Sequence, residues 1–266
     1  MLALCTTPDG PQLCERPSPQ PPPGWVRLRV AMAGVCRTDI DAARGHLEVE
    51  SGRVLGHELA GFTEDGVLVS VRPRLQDRRF LGVDLDGGFA EEVVVPARAL
   101  VPLASDMDLR RAAFVEPAAA ALSVLDAVSK TSGRVAVRGH GRIAELCRRV
   151  LKMAGVSLID DQQGNLDVLV LTGIAGVCDL EPVRDGGLVV LKGRPSAPVL
   201  VDQRAIVERG LTLRGVDYGD FAHAAELLAS GALPVDDLFA TPLPLSRFSE
   251  AFAAGEHRKN LLIPGG

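Results

Sequence analysis

The sequence predicts a two-part α/β chain, with a β-rich region followed by a parallel sheet wrapped in helices. Three observations carry this. Up to about residue 105, short apolar runs are broken by glycine and proline turns. Near Asp106 the composition turns to alanine and leucine, as in helices. From residue 135 the order is strand, glycine turn, helix, strand, the pattern of a βαβ unit.

Taken in order, residues 1–24 open on a short apolar piece and become proline-dense at Pro17, Pro19 and Pro21-Pro22-Pro23, which makes the stretch extended and non-helical. In residues 25–30, Val26, Leu28 and Val30 alternate with Arg27 and Arg29, the period of a half-buried strand. Further β-type runs lie within 54–71 and 89–95. Residues 108–129 read as helix. Strands are expected at 135–138, 156–159, 166–171, 188–191 and 211–216, with a helix over 145–154. The last residues carry an amphipathic helix at 246–254 and an apolar end at 261–263.

Composition excludes several functions. At 266 residues the chain suffices for one large domain or two modest ones. A net charge of -5 with interspersed signs leaves no nucleic-acid or membrane-surface patch. Aromatics at 4% are too few for a base-stacking surface. No run of about 18 apolar residues predicts a membrane helix, and no signal peptide opens the chain. Cys5, Cys14, Cys36, Cys147 and Cys178 are odd in number and lack paired spacing, which points to a reducing cytoplasm and no disulfide framework.

Two constellations carry chemistry. Gly34-Val35-Cys36-Arg37-Thr38-Asp39, Leu55-Gly56-His57-Glu58 and Phe114-Val115-Glu116-Pro117 together supply a thiol, an imidazole and two carboxylates. This set suits a zinc ion with an open position, and ligands scattered along a chain are more typical of catalytic than of structural zinc. Cys36, His57 and Glu116 are the primary ligands, Glu58 an optional fourth, and Asp39 a group able to orient them. Singly, Cys36 reads as a buried small hydrophobe, His57 as a core histidine and Glu116 as a helix-start charge; the combination argues for metal. The second constellation is Gly139-x-Gly141-x-x-Ala144 between a strand and a helix, with Asp160 ending the next expected strand. The glycines let backbone N–H groups approach a pyrophosphate, and the acid can hold the ribose of NAD while repelling the 2′-phosphate of NADP.

On these motifs the chain resembles a zinc-dependent medium-chain dehydrogenase/reductase of the alcohol, polyol and threonine dehydrogenase branch. The resemblance runs over nearly the whole chain. It implies a GroES-like catalytic domain at 1–116 and 242–266, and a Rossmann nucleotide-binding domain at 117–241. It implies that Cys36, His57 and Glu116 hold the catalytic zinc with Glu58 beside it. Thr38 would be the relay hydroxyl, and Arg37 would lie against the cofactor pyrophosphate. His46 and Asp41 read as a solvated loop. The chain departs from the family twice. Residues 72–88, where relatives carry a four-cysteine lobe, contain no cysteine, so one catalytic zinc and no structural zinc are expected. Only residues 161–165 separate Asp160 from the 166–171 strand, where full-length relatives have a helix and a strand. One sheet edge, on the adenosine side, should therefore be missing.

The leading function is zinc-dependent hydride transfer between a nicotinamide cofactor, NAD or alternatively NADP, and a small alcohol or carbonyl substrate. Reduction of an activated C=C bond on the same fold, and a degenerate scaffold without turnover, are the alternatives. An edge strand at 211–216 predicts a homodimer. The pocket-lining loops carry no readable signature of the substrate.

Overall fold

The computed structural model describes residues 1–128, 133–173, 175–195, 197–255 and 257–265. The chain divides into two compact units, Met1–Pro117 with Phe221–Gly266, and Ala118–Asp220.

The first unit opens on an antiparallel hairpin, β1 (Leu2–Cys5) and β2 (Gln12–Glu15). Then come β3 (Trp25–Gly34), α1 (Arg37–Ala43), β4 (Glu58–Phe62), β5 (Leu68–Val71), β6 (Glu92–Pro96), β7 (Leu100–Pro102) and α2 (Leu109–Ala113). The expected helix at 108–129 is in fact two, because the chain breaks at Phe114 between α2 and α3 (Val115–Val128). Residue 129 lies outside the described residues.

Strand β3 organises this unit. Its first half pairs with β6 and its second half with β4, both antiparallel. The register slips between Val30 and Met32, so a β-bulge bends the strand and shifts which face its later residues present. The alternation read in the sequence is real: Leu28 and Val30 are buried while Arg29 is exposed. They join Leu55, Leu59, Val69, Leu81, Phe89 and Val93 in one core. Each such aliphatic side chain contributes about 1.5–3 kcal/mol by leaving water.

The second unit holds β8 (Val135–Arg138), α4 (Gly141–Met153), β9 (Leu166–Leu171), β10 (Val183–Leu191), α5 (Gln203–Glu208) and β11 (Thr212–Gly215). The sheet is all parallel in the order β11-β10-β9-β8. Leu166, Leu169 and Val189 anchor its core. The expected strand at 156–159 is not a strand. It survives as one bridge, Val135 to Leu158, with the Ile159 N–H donating to the Val135 carbonyl at 2.9 Å. The reason is the short connection. Asp160 caps a single 3₁₀ turn, Asp161–Gln163, and Gly164 and Asn165, both at positive φ, turn the chain straight into β9. Among the described residues no further strand holds the segment from its other side, and the sheet ends at β8 on this edge.

The chain then returns to the first unit with α6 (Phe221–Ser230), β12 (Leu243–Pro244), α7 (Phe248–Ala253) and β13 (Leu261–Ile263). β13 pairs antiparallel with the end of β3. The return falls at Asp220/Phe221, not at the expected 241/242. The cause is α6, a helix not foreseen in the sequence, which packs on α2 and β7.

The cysteine reading also needs correction. Cys5 and Cys14 form a disulfide across the first hairpin, with Cα atoms 6.2 Å apart. Hairpin pairing, not sequence spacing, brings them together. Cys36, Cys147 and Cys178 are free thiols. No helix among the described residues is long and apolar enough to cross a membrane.

The sheet makes a measurable demand. In amide hydrogen exchange, central strands β9 and β10 are expected to be the slowest in the second unit. Residues 156–158 should exchange at least about a hundredfold faster than β9; equal protection would mean that a full outer strand exists.

Candidate metal and nucleotide sites

Strand β3 ends at Gly34, and Cys36 follows as the residue capping α1, in extended backbone conformation. Asp39, in the first turn of α1, accepts a hydrogen bond from the Cys36 N–H at 2.8 Å and another from the Gly56 N–H at 3.1 Å. One buried carboxylate thus ties the cysteine loop to the segment that carries His57 and Glu58 into β4. Among the described residues, Cys36, His57 and Glu58 bring ligand atoms to within 4.8 Å of one another. His57 and Glu58 are buried and Cys36 is half-buried.

His57 Nδ1 lies 3.5 Å from the Asp39 carboxylate and has no hydrogen-bond partner although buried. Burial is the largest single influence on the ring and disfavours its charged form, but Asp39 and Cys36 together outweigh it and hold the pKa well above the usual histidine value. Phe80 packs on the imidazole with ring centroids 5.0 Å apart, and the Arg74 guanidinium lies 4.9 Å from the Phe80 ring centroid. The cysteine-free stretch at 72–88 therefore supplies a wall to this site.

Glu58 has a partner the sequence did not reveal. Lys259, from the segment before β13, is 2% exposed. Its ammonium pairs with Glu58 and also donates to the Val35 carbonyl at 3.2 Å. Gly34 makes the approach possible, because a Cβ there would sit 2.5 Å from Glu58 Oε2. The one available signal was a lysine just before an apolar strand, in a chain whose cations are mostly arginines.

The other sequence-predicted residues fall as follows. Thr38, half-buried in α1, has its hydroxyl 3.9 Å from the Cys36 sulfur. Arg37 is exposed at the start of α1. Glu116 is buried in the first turn of α3 and is not among the three clustered ligands. His46 is exposed, its ring 3.8 Å from Asp41.

The donor set fits a zinc ion. It combines sulfur, imidazole and carboxylate. One of its ring nitrogens is buried and unpartnered. Beside it stand two buried carboxylates, Asp39 next to His57 and Glu58 paired with Lys259.

In the second unit, β8 runs into Gly139-His140-Gly141, and His140 caps α4. Gly139 has φ of 129°, and a Cβ there would lie 2.1 Å from Thr172 Oγ1, so only glycine fits. Thr172, just past β9, donates to the Arg138 carbonyl at 3.1 Å. Arg148 reaches back from α4 to the carbonyls of Val137 and Gly139, both at 3.0 Å. Ala144 is fully buried. The turn is held rigidly at the C-terminal edge of a parallel sheet, with the first N–H groups of α4 beside it, which is where such sheets bind anions.

Asp160 is exposed, and its carboxylate accepts from the Gln162 N–H at 2.9 Å. Its neighbour Asp161 pairs with Arg138, which also meets Asp179 at 3.0 Å. Burial alone would raise the Asp161 pKa, but Arg138 brings it below the usual carboxylate value. The Arg138 pairs, unseen in the sequence, bind the short turn to the sheet edge.

Comparison with known proteins gives this geometry relatives. Residues 22–105 match the alcohol dehydrogenase GroES-like domain. The chain is 27% identical to the L-threonine 3-dehydrogenase of Bacillus velezensis, with 96% of each chain covered. In these matches the chain resembles dehydrogenases that carry an alcohol dehydrogenase GroES-like domain. Solved structures agree on the fold. An Escherichia coli alcohol dehydrogenase in complex with NADH superposes with a TM-score of 0.87 at 22% identity, covering 99% of each chain. A Sinorhizobium meliloti protein described as a zinc-binding dehydrogenase, bound to NADP, gives 0.86 at 22% identity and the same coverage. The alignment with the threonine dehydrogenase spans 332 positions against 266 residues here, so the chain lacks dozens of that relative's positions.

Removing Lys259 from this site takes away the ammonium that Glu58 pairs with in the core. Lys259→Met is expected to lower the unfolding free energy by about 3 kcal/mol, and Lys259→Met with Glu58→Gln to recover much of that loss. Urea denaturation of the two variants and the parent checks this.

Proposed function

We propose that this chain is an NAD(P)-dependent alcohol dehydrogenase-type oxidoreductase, moving a hydride between a nicotinamide cofactor and a small alcohol or carbonyl compound. The observation that carries the reading is the Cys36, His57 and Glu58 cluster on the same chain as a glycine turn opening α4. When bound, zinc supplies a Lewis acid for the substrate oxygen and nicotinamide supplies the hydride acceptor or donor.

The chain's own residues divide the rest of the work. Cys36, His57 and Glu58 hold the metal, with Glu116 assigned as a further ligand by the family likeness. Asp39 orients His57, and a carboxylate beside a ligating histidine raises its basicity. Thr38 is the group that takes the substrate hydroxyl proton and passes it toward solvent. Lys259 fixes Glu58 in its rotamer. Gly139 and Gly141 let the pyrophosphate approach the N-terminus of α4 over buried Ala144. Asp160 holds the adenosine ribose. The exposed carboxylate of Asp160 favours NAD over NADP, because it would repel an added 2′-phosphate.

We further assign one zinc per chain, a cytoplasmic location, and a homodimer joined along the free edge of β11. An edge strand with unpaired N–H and C=O groups is a template for pairing. A monomer mass in light scattering would overturn the dimer.

Two measurements test the main reading. Cys36→Ser is expected to lower zinc content from about one per chain by roughly tenfold or more, while leaving NADH binding intact; full zinc retention would remove Cys36 from the ligand set. In fluorescence titration, NADH should bind at least about tenfold more tightly than NADPH, a difference near 1.4 kcal/mol. NADPH preference would reverse the role of Asp160. Binding of neither would favour the scaffold reading, which the missing sheet edge beside β8 also favours.

A further inference from the structure

A second reactive pair lies outside the metal and nucleotide sites. Cys5 ends β1 and Cys14 lies in β2, bonded across the hairpin with Cα atoms 6.2 Å apart, a separation a disulfide spans without moving the backbone. The two sulfurs have different surroundings. Cys5 is 4% exposed, and the Arg16 guanidinium lies 3.9 Å from its sulfur. Cys14 is half-buried and reaches solvent. A guanidinium favours the thiolate, so Cys5 is the better leaving group and Cys14 the sulfur that an incoming thiolate reaches.

The bridge sits on the ladder that delivers His57. The Leu4 N–H donates to the Phe89 carbonyl at 2.8 Å, and the Leu55 N–H donates to the Leu4 carbonyl at 3.2 Å. The Thr6 N–H donates to the Arg53 carbonyl at 2.8 Å, and Cys5 bridges Val54. Arg16, just past β2, donates to the Gly52 carbonyl at 2.8 Å and pairs with Asp86 at 3.5 Å. Asp86 in turn accepts from the Val54 N–H at 3.1 Å. Both strands of the bridged hairpin therefore grip the segment that runs through Leu55 and Gly56 into His57.

We propose that Cys5–Cys14 is a reversible thiol–disulfide site for a low-molecular-weight couple such as glutathione, and that its state sets how firmly residues 53–57 are held. In reduction, a glutathione thiolate attacks the Cys14 sulfur. The Cys5–Cys14 bond breaks, a Cys14–glutathione bond forms, and Cys5 leaves as a thiolate beside Arg16. A second glutathione thiolate attacks the glutathione sulfur of that mixed disulfide and releases Cys14. The protein gains two electrons and two protons; two glutathione thiols lose them and become one oxidised glutathione. Oxidation is the reverse. The opened hairpin is no longer cross-linked, and its grip on 53–57 weakens. A cytoplasmic disulfide is more often of this switching kind than structural.

The test uses the full chain and reads neither turnover nor bound cofactor, so it stands apart from the dehydrogenase reading. Protein is equilibrated in glutathione buffers from fully reduced to fully oxidised, trapped by alkylation, and followed by mass spectrometry and hydrogen exchange. The expected result is a reversible change between bridged and doubly alkylated Cys5 and Cys14. With it, exchange at Thr6, Leu55 and Gly56 should rise at least about fivefold on reduction. Cys14→Ser should show the fast exchange in every buffer. Arg16→Gln should need several-fold more reduced glutathione to open the bridge. If Cys14→Ser fails to fold, reduced and alkylated parent protein provides the same comparison. Cysteines that never bridge in oxidised buffer would overturn the proposal. So would bridging that leaves the 53–57 amides unchanged, or an Arg16→Gln protein that opens as readily as the parent.

Discussion

Asp39 is the group on which the catalytic half of this chain depends. It is 1% exposed, so its charge requires compensation where it stands. Two backbone N–H groups provide it, one from Cys36 and one from Gly56. Those two residues come from separate loops, and each loop delivers a candidate ligand. A carboxylate that must be satisfied in low dielectric is therefore also the device that registers two loops against each other. Next to it, Lys259 and Glu58 repeat the logic, tying the last segment of the chain to β4. A buried pair of this kind contributes little net stability, yet it permits one arrangement of the tail and few others.

The nucleotide unit answers to a different constraint. Parallel strands need long crossovers, and the crossover after Asp160 is too short to build another strand. The sheet stops at β8, and what would have been the next strand is reduced to one bridge. Arg138 and its two carboxylate partners hold the remaining turn in place. The glycine turn is untouched by this loss, because its support comes from Thr172, just past β9, and Arg148 on α4. The short connection falls at Asp160 and leaves the glycine turn before α4 intact.

Much of the fold was legible in short-range pattern. β8 and β9 lie at the expected residues because both are apolar runs bounded by polar turns. β3 was readable from the alternation around Arg27 and Arg29. The clustering of Cys36, His57 and Glu58 was foreshadowed by their residue types, since thiol and imidazole side chains are few in the first unit. The misses share a cause, since each depends on a partner distant in sequence. The β1–β2 hairpin and its disulfide need two four-residue strands to find each other. α6 owes its place to α2. The 156–159 segment has strand composition but no second neighbour.

Residue types along this chain determined which groups are available: sulfur, imidazole and carboxylate donors in the first unit, a glycine turn before α4, and only residues 161–165 between Asp160 and β9. Those follow from local sterics and from side-chain donor atoms, which a sequence states outright. Tertiary structure alone decided which groups share a buried site. It put Lys259 against Glu58, Phe80 against His57 and Arg16 against Cys5, and it left Glu116 outside the three-residue cluster. Pairings of that kind are set by desolvation and packing between segments up to the full length of the chain apart, and no local pattern in the residues records them.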